Sequence, residues 1–175
     1  MAAESVFLRA LDPEDLERTH SWHNDAALYE TLGRAYNFVS REAEQEWLRA
    51  KCRFSREEIS LAICLAETRE HIGNIYLQGI DWVARHGEVS IFIGTAQHRG
   101  KRYGDSAVRQ LIKHAFLNMG LQRLYLYVLA DNAPAIRAYA KCGFETEGKL
   151  KRHAFKNGQF KDVLVMGLCR PEGQG

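Results

Sequence analysis

One short stretch carries the chain's clearest chemistry: Arg99-Gly100-Lys101-Arg102-Tyr103-Gly104 follows the apolar, β-rich run Ile91, Phe92 and Ile93, which stops at Gly94. Past the turn, from Gly104 and Asp105, a long amphipathic pattern opens. The first N–H groups of a helix have no acceptor within it, and the macrodipole adds partial positive charge there. A basic, glycine-containing turn at that position is a seat for a phosphate or pyrophosphate, and so for a nucleotide-containing cofactor. The plain alternative is an ordinary strand-to-helix connection, because short glycine patterns recur by chance. A second stretch, Asn132-Ala133-Pro134, has the form of a helix start, with Tyr139 further along and Gly143 closing it. Among the ionisable residues, Glu88 opens a strand, while His20 and His23 stand at i, i+3 without an acid pattern, so no metal site is expected.

These residues must be positioned by a core, and the chain is long enough to build one. Its 175 residues, 46% hydrophobic and 26% charged, suit a single globular domain over residues 1–170 with a flexible tail at 171–175. A formal net charge of +2 is too small to attract nucleic acid in bulk. The basic residues Lys149, Lys151, Arg152, Lys156 and Lys161 fall on a hairpin and read as a solvated face. Cys52, Cys64, Cys142 and Cys169 are scattered without a paired motif, as expected in a reducing cytoplasm. There is no basic-then-apolar leader, and no apolar run approaches the ~20 residues that a membrane span needs. The expectation is a soluble, cytoplasmic protein with no membrane or nucleic-acid partner; a homodimer is left open.

The order of elements follows from periodicity and turn signals. Val6 to Ala10 is a strand, and Asp12-Pro13-Glu14-Asp15 starts a helix to about Trp22. A short helix is expected over Ala26 to Leu32, and another capped by Ser40, with Ala43, Trp47, Leu48 and Ala50 or Cys52 on its inner face. Glu42, Glu44 and Glu46 are read as that helix's solvent face. Strands then cover Ile59 to Glu67, Ile72 to Trp82 and Glu88 to Ile93, joined by short polar turns. After the loop, Ala107, Val108, Leu111, Ile112, Ala115, Phe116 and Met119 repeat at helical spacing up to Gly120. Leu124 to Leu129 is a strand, Asn132 to Lys141 a capped helix, and two β-rich arms meet at Asn157-Gly158. The sum is one α/β domain around a mixed sheet.

This order, with its glycine loop after the fourth strand, resembles the GNAT superfamily of N-acetyltransferases. Arg99-Gly100-Lys101-Arg102-Tyr103-Gly104 is similar to that family's acetyl-CoA pyrophosphate motif, and Asn132 through Tyr139 to Gly143-Phe144 to its Asn–Ala–Tyr–Gly-Phe helix. Leu8-Arg9 with Asp15-Leu16, Trp22-His23-Asn24-Asp25, and Glu147-Gly148 through Asn157-Gly158 extend the likeness to the branch of ribosomal-protein and spermidine acetyltransferases. One departure is Arg102, which stands where the motif has glycine. An arginine there presents its N–H if φ is negative, pairs its guanidinium with phosphate, or crowds the site. The resemblance implies a seven-stranded, mostly antiparallel sheet flanked by helices and splayed between its fourth and fifth strands.

The resemblance also implies roles. Acetyl-CoA would be the co-substrate, with its pyrophosphate on the backbone N–H groups from Arg99 to Asp105 and its amide arm along Ile91, Phe92 and Ile93. Asn132, as helix cap, and Ala135 and Ile136 would touch it. Tyr139 would protonate the leaving thiolate, since a thiol near pKa ~8.5 and a phenol near ~10 are matched closely enough; otherwise it is a core tyrosine. Glu88 would be the general base acting through water, or else a strand-end acid in solvent or an ion pair. Glu30 and His23 lie in the region that covers the acceptor, where surface or packing roles are the alternative. The acceptor would be a primary amine, a protein N-terminus or a small molecule; a polyamine, or a weakly catalytic acetyl-CoA-binding module, are the other readings.

Overall fold

A computed structural model describes residues 5–171, so part of the expected tail at 171–175 lies outside the described residues. Seven strands form one sheet: β1 (Val6–Ala10), β2 (Ile59–Leu65), β3 (His71–Asp81), β4 (His86–Ile93), β5 (Arg123–Leu129), β6 (Glu145–Lys156) and β7 (Gln159–Cys169). Their spatial order is β1-β2-β3-β4-β5-β7-β6, and every neighbouring pair is antiparallel except β4 with β5. The helices are α1 (Leu16–His23), α2 (Ala26–Tyr29), α3 (Arg41–Lys51), α4 (Tyr103–Lys113) and α5 (Ala133–Lys141).

The alternation of side chains sorts the sheet into two faces. On one, Ile75, Leu77, Val89, Leu124 and Leu126 pack with Ala107, Val108, Leu111, Ala115 and Phe116 from α4 and its continuation. The sequence's clearest helical repeat therefore points into the main core. On the other face, Ala62, Cys64 and Tyr76 pack against Leu48 of α3 and Leu11, with Phe92 at the margin. Consecutive residues of β4 thus serve different faces: Ile91 and Ile93 the first, Phe92 the second.

Caps explain most boundaries. The Asp12 side chain accepts from the Glu14 N–H, and Asp15 accepts in return from the Asp12 N–H at 2.9 Å, a reciprocal box with Pro13 inside it. Ser40 caps α3 and Asn132 caps α5, each through its side-chain oxygen. After α4 the chain widens into a π turn over His114–Asn118 and leaves the helix at Gly120, whose φ is +71°.

Several expectations need correcting. α2 ends at Tyr29 rather than Leu32, because four residues form only a single turn on the Asp25 cap. The inner face of α3 is Glu44, Trp47 and Leu48; Ala43 and Ala50 are exposed. Glu44 is not a solvent-face acid: it is 1% exposed, and His23 answers it. Lys156 is not a solvated hairpin charge either, being buried with its ammonium on the Tyr29 and Arg34 carbonyls.

Candidate active site

β4 and β5 pair only through His86, Gly87 and Glu88 against Arg123, Leu124 and Tyr125, and then diverge. Beyond Glu88, β4 keeps its partner on the β3 side up to Ile93 but has none in β5. A slot opens there, and α4 and α5 border it. Ile91, Phe92, Ile93, Gly104, Asp105, Ala135, Ala138 and Tyr139 line its narrow part. It continues into a cleft of about 780 Å³, whose walls also include His23, Arg34, Trp47, Tyr76, Glu88 and Asn132.

Tyr139 lines the narrow part of the slot, its ring edge-on to Phe144 with centroids 6.1 Å apart. Burial, helped by the neighbouring Cys142, pushes its phenol up to about 12, so it keeps its proton through neutral pH. Asn132 accepts the Ala135 N–H at 3.2 Å and gives its amide N–H to the Thr31 carbonyl at 3.2 Å. The cap of α5 therefore also ties down the segment after α2. Ala135 faces the slot, whereas Ile136 packs against the main core and lines neither part of the cleft, one residue of offset having turned it inward.

The loop before α4 divides its labour. Arg99 turns back on β4, donating to the carbonyls of Ile93 at 3.0 Å and Gly94 at 2.8 Å. Its own N–H is used by Ala96, so Arg99 braces the loop. Gly100 has φ +75° with open space where a Cβ would point. Arg102 has φ +63°, not the negative value that would suit it, and its exposed side chain reaches Asp105 at 3.6 Å. The first-turn N–H groups of Tyr103, Gly104 and Asp105 have no acceptor within α4. At Gly104, the nearest atom to a Cβ would be Ile91 Cδ1 at 3.8 Å, so the helix start lies against the slot without side-chain cover. Lys101 is exposed. An unpaired strand edge leading to a bare helix N-terminus fits a pantetheine arm ending in a pyrophosphate.

Glu88 sits at the fork, opposite Gln78 on β3 and Tyr125 on β5. Gln78 donates to its Oε1 at 3.2 Å, while Arg34 donates to the Gln78 oxygen at 3.2 Å. Arg34 thereby fixes which end of the Gln78 amide meets Glu88. Glu30, in contrast, is exposed and outside the cleft. His20 and His23 do not act together: His20 bonds the Val39 carbonyl at 2.9 Å, and His23 bonds Glu44 at 2.7 Å.

A buried polar chain supports the cleft from behind. Arg9 holds Asp15 with two bonds of 2.8 and 2.7 Å, and Asp15 meets His71 Nδ1 at 3.0 Å. His71 Nε2 meets the Asn74 oxygen at 2.7 Å, and Asn74 donates to the Tyr76 hydroxyl at 2.9 Å on the cleft wall. Burial works against the charge on Asp15, but Arg9, His71 and the Asp12 N–H outweigh it and hold the carboxyl well below the usual range. Of this chain, the family likeness singled out Arg9 and Asp15 but not His71, Asn74 or Tyr76. Their signal is the presence of polar side chains at 71, 74 and 76 within β3, where a strand buried on both faces would be apolar.

Comparison with known proteins agrees with this geometry. Residues 5–145 match the family model described as acetyltransferase (GNAT) domain. The spermidine N(1)-acetyltransferase of Escherichia coli (strain K12) is 30% identical, covering 94% of this chain and 86% of its own. The putative ribosomal N-acetyltransferase YdaF of Bacillus subtilis (strain 168) is 26% identical over 98% of this chain and 95% of its own. The crystal structure of spermidine N-acetyltransferase from Vibrio cholerae in complex with CoA and spermine superposes with a TM-score of 0.87, at 26% identity, over 94% of this chain and 95% of that one. The chain belongs to the GNAT family of acetyltransferases, enzymes that move an acetyl group from acetyl-CoA to an amine.

Proposed function

We infer that acetyl transfer takes place in the slot between β4 and β5, with Tyr139 as the acid that protonates the departing thiolate. The observation that carries this is the parting of the two strands just past Glu88, with the Tyr139 phenol on the resulting slot. Unpaired backbone along Ile91 to Ile93 suits the amide-bearing arm, and the N–H groups from Gly100 to Asp105 suit the pyrophosphate. Asn132 and Ala135 border the same path. Arg99, Lys101 and Arg102 add positive charge around it, and Ile136 contributes only by packing. Glu88, with one oxygen taken by Gln78, offers the other to the acceptor's ammonium.

The acceptor in this reading is a primary amine on a peptide N-terminus or a small molecule. Tyr29, Trp47, Tyr76 and Phe92 make its side of the cleft aromatic; Arg34 reaches Glu88 through Gln78, and Lys51 on the same wall is paired with Glu58. That mixture fits one ammonium on an apolar or peptide-like body better than a string of ammonium groups. A polyamine acceptor is the second reading, favoured by the similarity to a spermine-bound enzyme. Free-thiol release from acetyl-CoA, measured with spermidine, amino acids, amino-sugars and N-terminal peptides side by side, separates the two. Turnover with peptides or simple amines and little with spermidine is the expected result; preference for spermidine reverses the acceptor assignment. Unpaired cysteines at Cys52, Cys64, Cys142 and Cys169 fit a reducing, cytoplasmic setting.

A further inference from the structure

His23 ends α1 and Glu44 lies in the first turn of α3, and packing of the two helices joins them on the acceptor side of the cleft. His23 Nδ1 and Glu44 Oε2 are 2.7 Å apart. Glu44 is 1% exposed, and its other oxygen, Oε1, has no hydrogen-bond partner among the described residues. The His23 ring stands edge-on to Trp47, with centroids 4.7 Å apart, and 6.3 Å from Phe92, whose backbone borders the slot. It lines the cleft and retains 14% side-chain exposure.

A carboxyl this deep is costly unless something answers it. The His23 imidazole is the side chain that answers it. The pair is also arranged in a particular sense. Nδ1 is committed to Glu44, which fixes the proton on that nitrogen and leaves Nε2 to meet a molecule in the cleft. An oriented imidazole backed by a buried carboxylate, facing a substrate site, is the arrangement of a general base.

We propose that His23 is a catalytic residue, its Nε2 taking the proton that the acceptor's ammonium must lose before it can attack. This rests on the acetyl-transfer reading of the slot. An α-ammonium near pKa ~8 or an alkylammonium near ~10.4 is mostly protonated at neutral pH and cannot attack in that form. One ammonium proton passes to His23 Nε2, and Glu44 stabilises the imidazolium through the Nδ1 proton. The freed nitrogen pair forms the C–N bond to the acetyl carbon, and the C–S bond breaks. The Tyr139 hydroxyl gives its proton to the sulfur, and its oxygen recovers one from the new amide nitrogen. The net proton released leaves from His23 to solvent. Glu88 binds the ammonium at the fork, and His23 removes its proton.

The test is steady-state thiol release by the full-length enzyme and its variants, with acetyl-CoA affinity measured in parallel. His23→Gln is expected to lower kcat on the order of 100-fold while acetyl-CoA Kd stays within about twofold. Added imidazole should restore part of the rate to His23→Ala. Glu44→Gln should lower kcat about tenfold, and the double variant His23→Gln/Glu44→Gln should be no slower than His23→Gln alone. The double variant leaves no unanswered charge at this pair, so it carries the test if His23→Gln fails to fold. A wild-type kcat in His23→Gln or in the double variant, or a change confined to amine KM, overturns the role of His23 and leaves the acetyl-transfer reading intact. A wild type that releases no thiol with any amine overturns both.

Discussion

Arg102 shows how one residue can depart from a pattern without losing its geometry. Its φ of +63° is the left-handed conformation for which glycine is suited, and an arginine holds it at a cost of about 1 kcal/mol. Replacing it by glycine releases that strain but enlarges the unfolded ensemble. Arg102→Gly should therefore change stability by less than about 1 kcal/mol, in the stabilising direction, as measured by urea denaturation. Acetyl-CoA affinity should not change, because backbone N–H groups do the seating; a marked loss would show that the guanidinium meets phosphate. At the other end of the site, Glu88→Gln should raise amine KM while acetyl-CoA Kd stays constant, measured by titration of each substrate. Asn132 was legible as a helix cap from local sequence, whereas Glu88 and Tyr139 were singled out through family resemblance. Neither was enough for Glu44, which looks like one of three solvent-facing acids until His23, 21 positions away in the chain, is placed beside it.

At the scale of elements, local signals located the strands and helices well, because caps such as Asp12, Ser40 and Asn132 are written in a few adjacent residues. What they could not supply was pairing. The separation of β4 from β5 depends on which strands become neighbours, and it was expected only through family resemblance. Gly94, where β4 turns into the phosphate loop, shows how tightly that junction is set. A Cβ there would lie 2.2 to 2.4 Å from atoms of the Trp22 indole, which is itself packed against His71 and Phe92. Gly94→Ala should cost about 1–3 kcal/mol in thermal or urea unfolding through overpacking. It should also weaken acetyl-CoA binding, since Arg99 braces the loop on the Gly94 carbonyl. An unperturbed melting temperature would show that α1 can draw away from the sheet at little cost.

Over the whole molecule, the sheet separates two tasks. Its α4 face holds the main core and, in the proposed reading, the start of the cofactor path; its α3 face carries the cleft wall with Tyr76, His23 and Glu88, proposed to meet the acceptor. The chain from Arg9 through Asp15 and His71 to Tyr76 joins β1 to that wall, so stability and site geometry share a pH dependence. The folded Asp15 carboxyl is held below its unfolded value near 3.9. Its stabilisation is complete above about pH 4 and is lost as pH falls from there toward the depressed folded value. Wild-type stability should decline through that acid window. Asp15→Asn should begin about 2–4 kcal/mol lower at neutral pH and decline less steeply, measured by urea unfolding across pH. Equal acid slopes would remove Asp15 from the account. The central claim, acetyl transfer in the strand slot with Tyr139 as the acid, is tested most directly by amine-dependent thiol release from wild type and Tyr139→Phe, with acetyl-CoA Kd measured on both. The account predicts amine-dependent release by wild type, a kcat lower by about 100-fold in Tyr139→Phe, and equal affinities; a Tyr139→Phe enzyme running at the wild-type rate would contradict it.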